Sequence, residues 1–348
     1  MTPFILPILL SSLGMGTALT FMSTHCLLAW MGLEMNTMAI LPLMIQPQHP
    51  RAAEATTKYF LTQAAAALTF LFASMINAWS TGEWNTALIT DPAAAALATT
   101  ALALKLGLAP MHFWMPSVMQ GLSLSTGLIM ATWQKLAPLA LIFQMAPSTH
   151  PQLLMALSLL SVIIGGWGGL NQTQLRKILA YSSIAHLGWM IIIIQLKPQL
   201  TMLTLTLYIT MTSAAFLTFK MINTTNINTL SLSWSKAPIL AATTALVLLS
   251  LGGLPPLTGF LPKWLILQEL TAQHLTLTAT IMALSTLLSL YFYLRLCYAL
   301  SLTAPPSTNN TQTPWRLQNT QNTSTLSIFT TMSALLLPLM PLAQSFMN

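Results

Sequence analysis

The chain has 348 residues, 55% hydrophobic and 5% charged, with a net charge of +7 and a mean hydropathy of +0.70. Soluble domains carry roughly 25% charged residues, so the composition excludes a soluble globular fold and points to a bundle of membrane spans of about 20 apolar residues each. The positive charge is too dispersed for a nucleic-acid track, since no basic block exceeds Arg176-Lys177, and two cysteines, Cys26 and Cys297, do not suffice for an iron–sulfur cluster or a structural zinc site.

In chain order, the N-terminal Met1-Thr2-Pro3-Phe4-Ile5-Leu6 has no basic residue, and Arg51 is the first positive charge. A secretory or import leader needs Lys or Arg early, so the expectation is a protein inserted in the compartment where it works. Apolar runs predict eleven spans: Pro3–Met22, His25–Ile45, Tyr59–Trp79, Pro92–Met119, Gly121–Phe143, Pro151–Leu170, Ile178–Leu196, Gln199–Phe219, Ala237–Leu270, Leu275–Tyr298 and Thr325–Pro341. The polar stretch Thr303–Ser324 is the one long loop, expected on the lipid surface or against a partner.

Basic residues test this count. With strict alternation, the side of the N-terminus collects Arg51, Lys58, Arg176, Lys177, Lys220, Lys236, Arg295 and Arg316. The other side receives Lys197, with Glu83, Asp91 and Glu269 near it. A missed or invented span would mix the two sets downstream of the error, so the bias favours eleven spans and a cytoplasm-like N-terminal side.

The fourth and ninth spans are long and broken in the same way. Gly107-Leu-Ala-Pro110 is followed by Pro116, and Gly253-Leu-Pro-Pro256 by Pro262, at an offset of 146 residues in both cases. Proline removes a backbone donor and clashes with the preceding turn, so each span must open. Freed backbone groups at that depth are tolerated where they line a polar cavity or are buried by protein. The copies lie five spans apart and so point in opposite directions, the pattern of inverted repeats around a midplane transport site.

Four ionisable residues fall inside apolar spans: Glu34, Lys105, Lys135 and Lys263. A charge near a bilayer centre costs at least about 2.5–3.5 kcal/mol and by default marks an ion pathway or proton relay. Burial favours the neutral form of an ionisable group, so an amine in such a place can alternate between charged and neutral states. For Glu34 the alternative is a structural ion pair, and for Lys263 a salt bridge with Glu269. His186, in Tyr181-Ser-Ser-Ile-Ala-His186, reads either as a proton shuttle or as a satisfied buried imidazole. His112 sits within the first break, while His25 and His274 begin spans and are expected at the interface. Trp30, Trp114, Trp133, Trp189 and Trp264 are expected to serve packing or the interfacial belt.

Several motifs together resemble a family. The glutamate of the second span, Leu104-Lys-Leu-Gly-Leu-Ala-Pro-Met-His-Phe-Trp-Met-Pro116, Trp133-Gln-Lys135, Tyr181-Ser-Ser-Ile-Ala-His-Leu-Gly188 and Gly252-Gly-Leu-Pro-Pro-Leu-Thr-Gly-Phe-Leu-Pro-Lys263-Trp264 look like the antiporter-like membrane subunits of respiratory complex I. The resemblance covers nearly the whole chain. It implies an all-α, polytopic membrane protein forming one antiporter-like domain over 1–348. This would comprise two inverted five-helix repeats, about 1–145 and 150–298, each with a discontinuous helix, then a C-terminal loop and helix over 299–348. Family members usually have fourteen helices, so eleven fits a form without the first three.

The resemblance further implies that Glu34, Lys105, Lys135 and Lys263 form a water-linked line of protonatable residues, with His186 as a further candidate. It implies that this chain binds no cofactor, and that NADH, FMN, iron–sulfur clusters and ubiquinone belong to partner subunits. Neighbouring antiporter-like subunits and the lipid bilayer are the expected partners, with no nucleic acid. The 22 Met and the scarcity of charge resemble proteins encoded by animal mitochondrial genomes, which implies the mitochondrial inner membrane. A stand-alone cation/proton antiporter of the same fold is the competing reading, and an inert structural subunit a third.

Overall fold

The computed structural model describes residues 4–46, 48–302 and 323–339, and its regular elements there are helices, with no strand. In chain order they are α1 (Ile5–Met22), α2 (Cys26–Ile45), α3 (Pro50–Thr81), α4 (Pro92–Leu106), α5 (Trp114–Gly121), α6 (Leu124–Thr132) and α7 (Leu136–Met145). They continue as α8 (Pro151–Gly169), α9 (Leu175–Ile193), α10 (Pro198–Ile222), α11 (Ile227–Ser231), α12 (Ser233–Lys236) and α13 (Pro238–Gly252). The last are α14 (Phe260–Ala272), α15 (Thr276–Ser301) and α16 (Ser324–Leu335). A 3-10 turn, Trp133–Lys135, joins α6 to α7.

Each expected span falls on a helix or a broken pair. Seven are long and apolar enough to cross a membrane by length and composition: α1, α2, α3, the run Leu124–Met145, α8, α10 and α15. The 15-residue helices α4 and α13 are short because each is the first half of a broken span. Most of the expected loop Thr303–Ser324, Arg316 included, and the end of the last span lie outside the described residues.

The expected span Tyr59–Trp79 lies within α3, which begins nine residues earlier at Pro50, so Arg51 and Lys58 lie on its first turns ahead of the apolar run. His49 caps it, its Nδ1 accepting from the Arg51 amide at 3.2 Å. Pro50 supplies the preset φ of a first helical residue. Glu54 and Lys58 pair one turn apart, which supports an exposed helix end.

Burial along α3 explains why these helices need a membrane. Apart from Phe70, its inward face carries small and polar residues: Ala52, Ala55, Thr56, Tyr59, Gln63, Ala66, Ala67, Ala73, Ser74 and Asn77. Its outward face carries Leu61, Leu68, Phe72, Met75 and Trp79, the last 94% exposed. Water would not support that arrangement, whereas lipid leaves close packing of small residues as the force between helices. The buried hydroxyls of Thr56 and Ser74 on this face donate to carbonyls a turn back, Ala53 O at 2.7 Å and Leu71 O at 2.6 Å.

The described chain divides into two compact units. The first takes Met1–Ser161 with Met190–Pro198, the second Val162–Trp189 with Gln199–Asn348. In the first, α1 and α2 meet through Gly16 and Gly32. A Cβ on Gly16 would stand 2.5 Å from Asn36 Oδ1, and one on Gly32 2.6 Å from Thr20 Cγ2. The α3–α4 loop folds over the start of α2: the Cys26 amide donates to Trp84 O (2.9 Å), the Thr86 amide to Thr24 O (2.8 Å), and His25 stacks on Trp84. In the second unit, glycines of α8 admit α9 and α15. A Cβ on Gly165 would meet the Ala185 backbone at 2.8 Å, and one on Gly169 the Phe292 ring at 2.8 Å. Arg295 of α15 donates to Leu170 O at 2.7 Å, at the end of α8.

Candidate functional site

The two breaks have the same backbone chemistry. Gly107 has φ +77° and Gly253 φ +79°, the left-handed region that glycine enters without penalty. The Gly107 amide donates to Leu104 O (3.1 Å) and the Leu108 amide to Ala103 O (2.9 Å). The Gly253 and Leu254 amides donate likewise to Ser250 O (3.0 Å) and Leu249 O (3.4 Å). This is the helix stop in which two amides turn back onto the last carbonyls. Both half-helices therefore end inside the protein, with partial negative charge at their C-terminal ends.

In the first unit that end is built into a cavity. Lys105, 6% exposed, lies in the last turn of α4, where a cation gains roughly 0.3–1 kcal/mol from the helix dipole. Gln63 of α3 donates to Lys105 O (3.4 Å), and Trp114 of α5 to Leu104 O (3.1 Å), so neighbours satisfy the opened carbonyls. The cavity is lined by Lys105 and Lys135 together, with Asn36, Thr37, Tyr59, Gln63 and Gln134 as its other polar walls. Tyr59 donates to Gln134 Oε1 (3.5 Å), and Gln134 donates to Asn36 O (3.2 Å), tying α2, α3 and the turn before α7.

Lys135, 3% exposed, stands on the 3-10 turn. Pro138 accounts for that turn: it has no amide for the Gln134 carbonyl, and its ring crowds the preceding turn. A short 3-10 stretch within a span is a local tightening of the kind found at working sites.

Glu34 stands beside the cavity and not in contact with the lysine. Thr37 donates to both Glu34 O (2.8 Å) and Glu34 Oε2 (3.1 Å), and Thr37 lines the cavity. Lys105 Nζ has no hydrogen-bond partner, so Glu34 and Lys105 do not form a salt bridge.

The second unit places Lys263 and His186. Lys263 follows the break, on α14, yet its Nζ reaches back to donate to Gly252 O at 2.8 Å. Its charge thus lies at the C-terminal end of α13, as that of Lys105 lies at the end of α4, although the two are not equivalent by the 146-residue offset. Position 105 corresponds to Leu251 and Lys263 to Ser117. His186 packs on Tyr208, ring centroids 5.6 Å apart, about one turn along α9 from Ser182 and Ser183, whose hydroxyls donate to Leu179 O and Ala180 O. His112, in the first break, is 4% exposed, with Nδ1 3.2 Å from Pro110 O and its ring against Phe113.

Sequence reasoning missed Asn36, Tyr59, Gln63 and Gln134 in the first unit and Tyr208 in the second. An available signal was the polar residue beside a charge: Asn36 is two residues from Glu34, and Gln134 adjoins Lys135.

Comparison with known proteins follows the same lines. Residues 23–289 match the family described as NADH:quinone oxidoreductase/Mrp antiporter, transmembrane, and residues 290–344 match NADH dehydrogenase subunit 2 C-terminus. The chain is similar to NADH-ubiquinone oxidoreductase chain 2 of Carassius auratus (67% identical), Salmo salar (65%) and Squalus acanthias (60%), each over 98% of both chains. Among solved structures it is similar to a chain of respiratory complex I from Thermus thermophilus, with 28% identity and a TM-score of 0.82 over 97% of this chain and 80% of that one. The fold also recurs, at 16% identity and a TM-score of 0.84, in a chain of an archaeal membrane-bound sulfane sulfur reductase, over 97% of this chain and 73% of that one. With matched family models running from residue 23 to 344 and relatives this similar over nearly its full length, the chain belongs to the NADH:quinone oxidoreductase/Mrp antiporter family of membrane proteins.

Proposed function

We propose that this chain is a proton-translocating membrane subunit of NADH:ubiquinone oxidoreductase, respiratory complex I, in the mitochondrial inner membrane. The observation that carries the reading is the shared cavity: two lysines from different helices, both nearly excluded from solvent, face one polar space at the end of a half-helix. An amine there can hold a proton or release it to a neighbour, and the backbone ends give it a fixed field. In this reading a proton passes from Lys105 to Lys135 in the first repeat and onward to Lys263 in the second, with His186 as a further stage. Glu34 acts on Lys105 through space, so a change in its charge or distance shifts where the proton resides.

The two repeats, about 1–145 and 150–298, stand in opposite orientations in this reading, and the chain crosses the membrane eleven times with its N-terminus in the matrix. Redox chemistry with NADH, FMN, iron–sulfur clusters and ubiquinone belongs to partner subunits, next to which this chain sits with other antiporter-like subunits. Identity of 60–67% to NADH-ubiquinone oxidoreductase chain 2 proteins over 98% of the chain favours the complex I reading over a stand-alone antiporter, for which the likeness to an Mrp complex, at 16% identity, speaks of fold alone.

Lys135 provides the test. Arginine keeps the charge and the donors but does not deprotonate in proteins. In the assembled complex, reconstituted in vesicles with a pH-sensitive dye, Lys135→Arg and Lys135→Met should both lose pumping, each on the order of tenfold or more. Full pumping by the arginine variant would remove the relay role from Lys135.

A further inference from the structure

The cavity of the first unit holds an unexplained group. Asn36 is 2% exposed, yet neither its Oδ1 nor its Nδ2 has a hydrogen-bond partner in the protein. Its backbone carbonyl accepts from Gln134, so the residue is anchored while its carboxamide is left over. The amine of Lys105, on the wall of the same cavity, is likewise unpartnered. A buried amide or amine without a partner is expensive to keep, and the great majority of such groups are satisfied by protein or ordered water. A small polar cavity whose walls offer two to four donors and acceptors is where buried water settles.

We infer that Asn36 is a positioning residue that holds ordered water against Lys105, on the path toward Lys135. The inference rests on the proton-relay reading above and adds a residue to it. Chemically, a carboxamide suits the task. It offers an acceptor and two donors but does not ionise, so it holds a water in either orientation without trapping a proton. A water that accepts from Lys105 Nζ and donates to Asn36 Oδ1 has its remaining proton and lone pair free for the next partner. When Lys105 gives up its proton to such a water, the water's own proton moves on and the count of protons is unchanged.

Helix α1 sets the position of the carboxamide. A Cβ on Gly16 would come within 2.5 Å of Asn36 Oδ1 and 3.0 Å of its Cγ, so glycine at 16 leaves the room in which Asn36 stands. The close approach of α1 and α2 thus shapes the cavity wall from behind.

The test has two arms. In the assembled wild-type complex, a cryo-EM map that resolves waters should show one within hydrogen-bond distance of the Asn36 carboxamide and of Lys105 Nζ. An Asn36 side chain bonded only to protein, or a dry cavity, overturns the proposal. In vesicles, Asn36→Leu fills the space with an apolar group and should reduce pumping by up to about a hundredfold, the loss that a 1 Å misplacement of a reacting partner can cause. Asn36→Ser keeps a hydroxyl and room for water and should recover most of that loss. Asn36→Asp adds a charge that competes for the proton and should shift the pH profile of pumping, a change that lost packing does not produce. Equal pumping with unchanged pH profiles in all three variants overturns the proposal. Lys105→Met serves as control: if it pumps normally the relay reading fails, and if it alone is inactive only the role of Asn36 fails.

Discussion

Glu34 stands beside the cavity without bonding Lys105. The Thr37 hydroxyl lies 2.8 Å from the Glu34 backbone carbonyl and 3.1 Å from Oε2, while Lys105 Nζ has no hydrogen-bond partner. Glu34→Gln keeps the shape and the Thr37 hydrogen bond but removes the charge. We expect pumping and the coupled quinone reductase rate to fall severalfold while the complex assembles in normal amount, measured by native gel and proton uptake. Normal pumping would make Glu34 a structural carboxyl. The polar residues around it were only partly legible: Glu34, Lys105 and Lys135 stand out because charge is rare in this chain, whereas Asn36, Tyr59 and Gln63 look ordinary until three helices bring them to one cavity.

At the level of elements, the broken helices decide where charge can sit. The matched Gly/Pro interruptions were readable because proline and glycine act on the backbone locally. The use made of them was not, since Lys105 arrives at its half-helix end from within α4 and Lys263 at the corresponding end by reaching back from α14. The glycines therefore differ in consequence. An L-residue in the left-handed region costs roughly 1–2 kcal/mol, which applies to Gly107→Ala and Gly253→Ala alike. A Cβ on Gly253 would also stand 2.8 Å from Lys263 Nζ, whereas on Gly107 the nearest atoms are 3.3 Å away, on Met115 and Trp114. Both variants should lower the temperature at which the assembled complex loses NADH:ubiquinone activity. Gly253→Ala should in addition reduce pumping below that of Gly107→Ala at a temperature where both are intact. Equal pumping by the two would show that Lys263 need not lie on Gly253.

For the molecule as a whole, the distribution of basic residues makes a topological prediction. If eleven spans alternate, eight basic residues fall on one side against Lys197 on the other, which predicts an N-terminus in the matrix and, the number of spans being odd, a C-terminus on the opposite side. Antibodies to the two terminal peptides, applied to mitoplasts before and after permeabilisation, should reach the C-terminus at once and the N-terminus after permeabilisation. Both ends on one face would mean that a span is missing or surplus.

The sequence by itself determined the class of protein, the helical segments, the two breaks and the charged residues, because each depends on composition or on local backbone chemistry. It did not show that α3 runs past the apolar span to Pro50, where a histidine cap starts the helix. Only the tertiary structure decided that Lys105 and Lys135 share one cavity, that Lys105 Nζ makes no hydrogen bond to Glu34, and that Lys263 reaches back to bond Gly252. Those facts depend on which faces of which helices meet. In an apolar medium that is set by small residues such as Gly16 and Gly32 and by buried polar groups seeking partners, not by a hydrophobic stripe that periodicity would reveal.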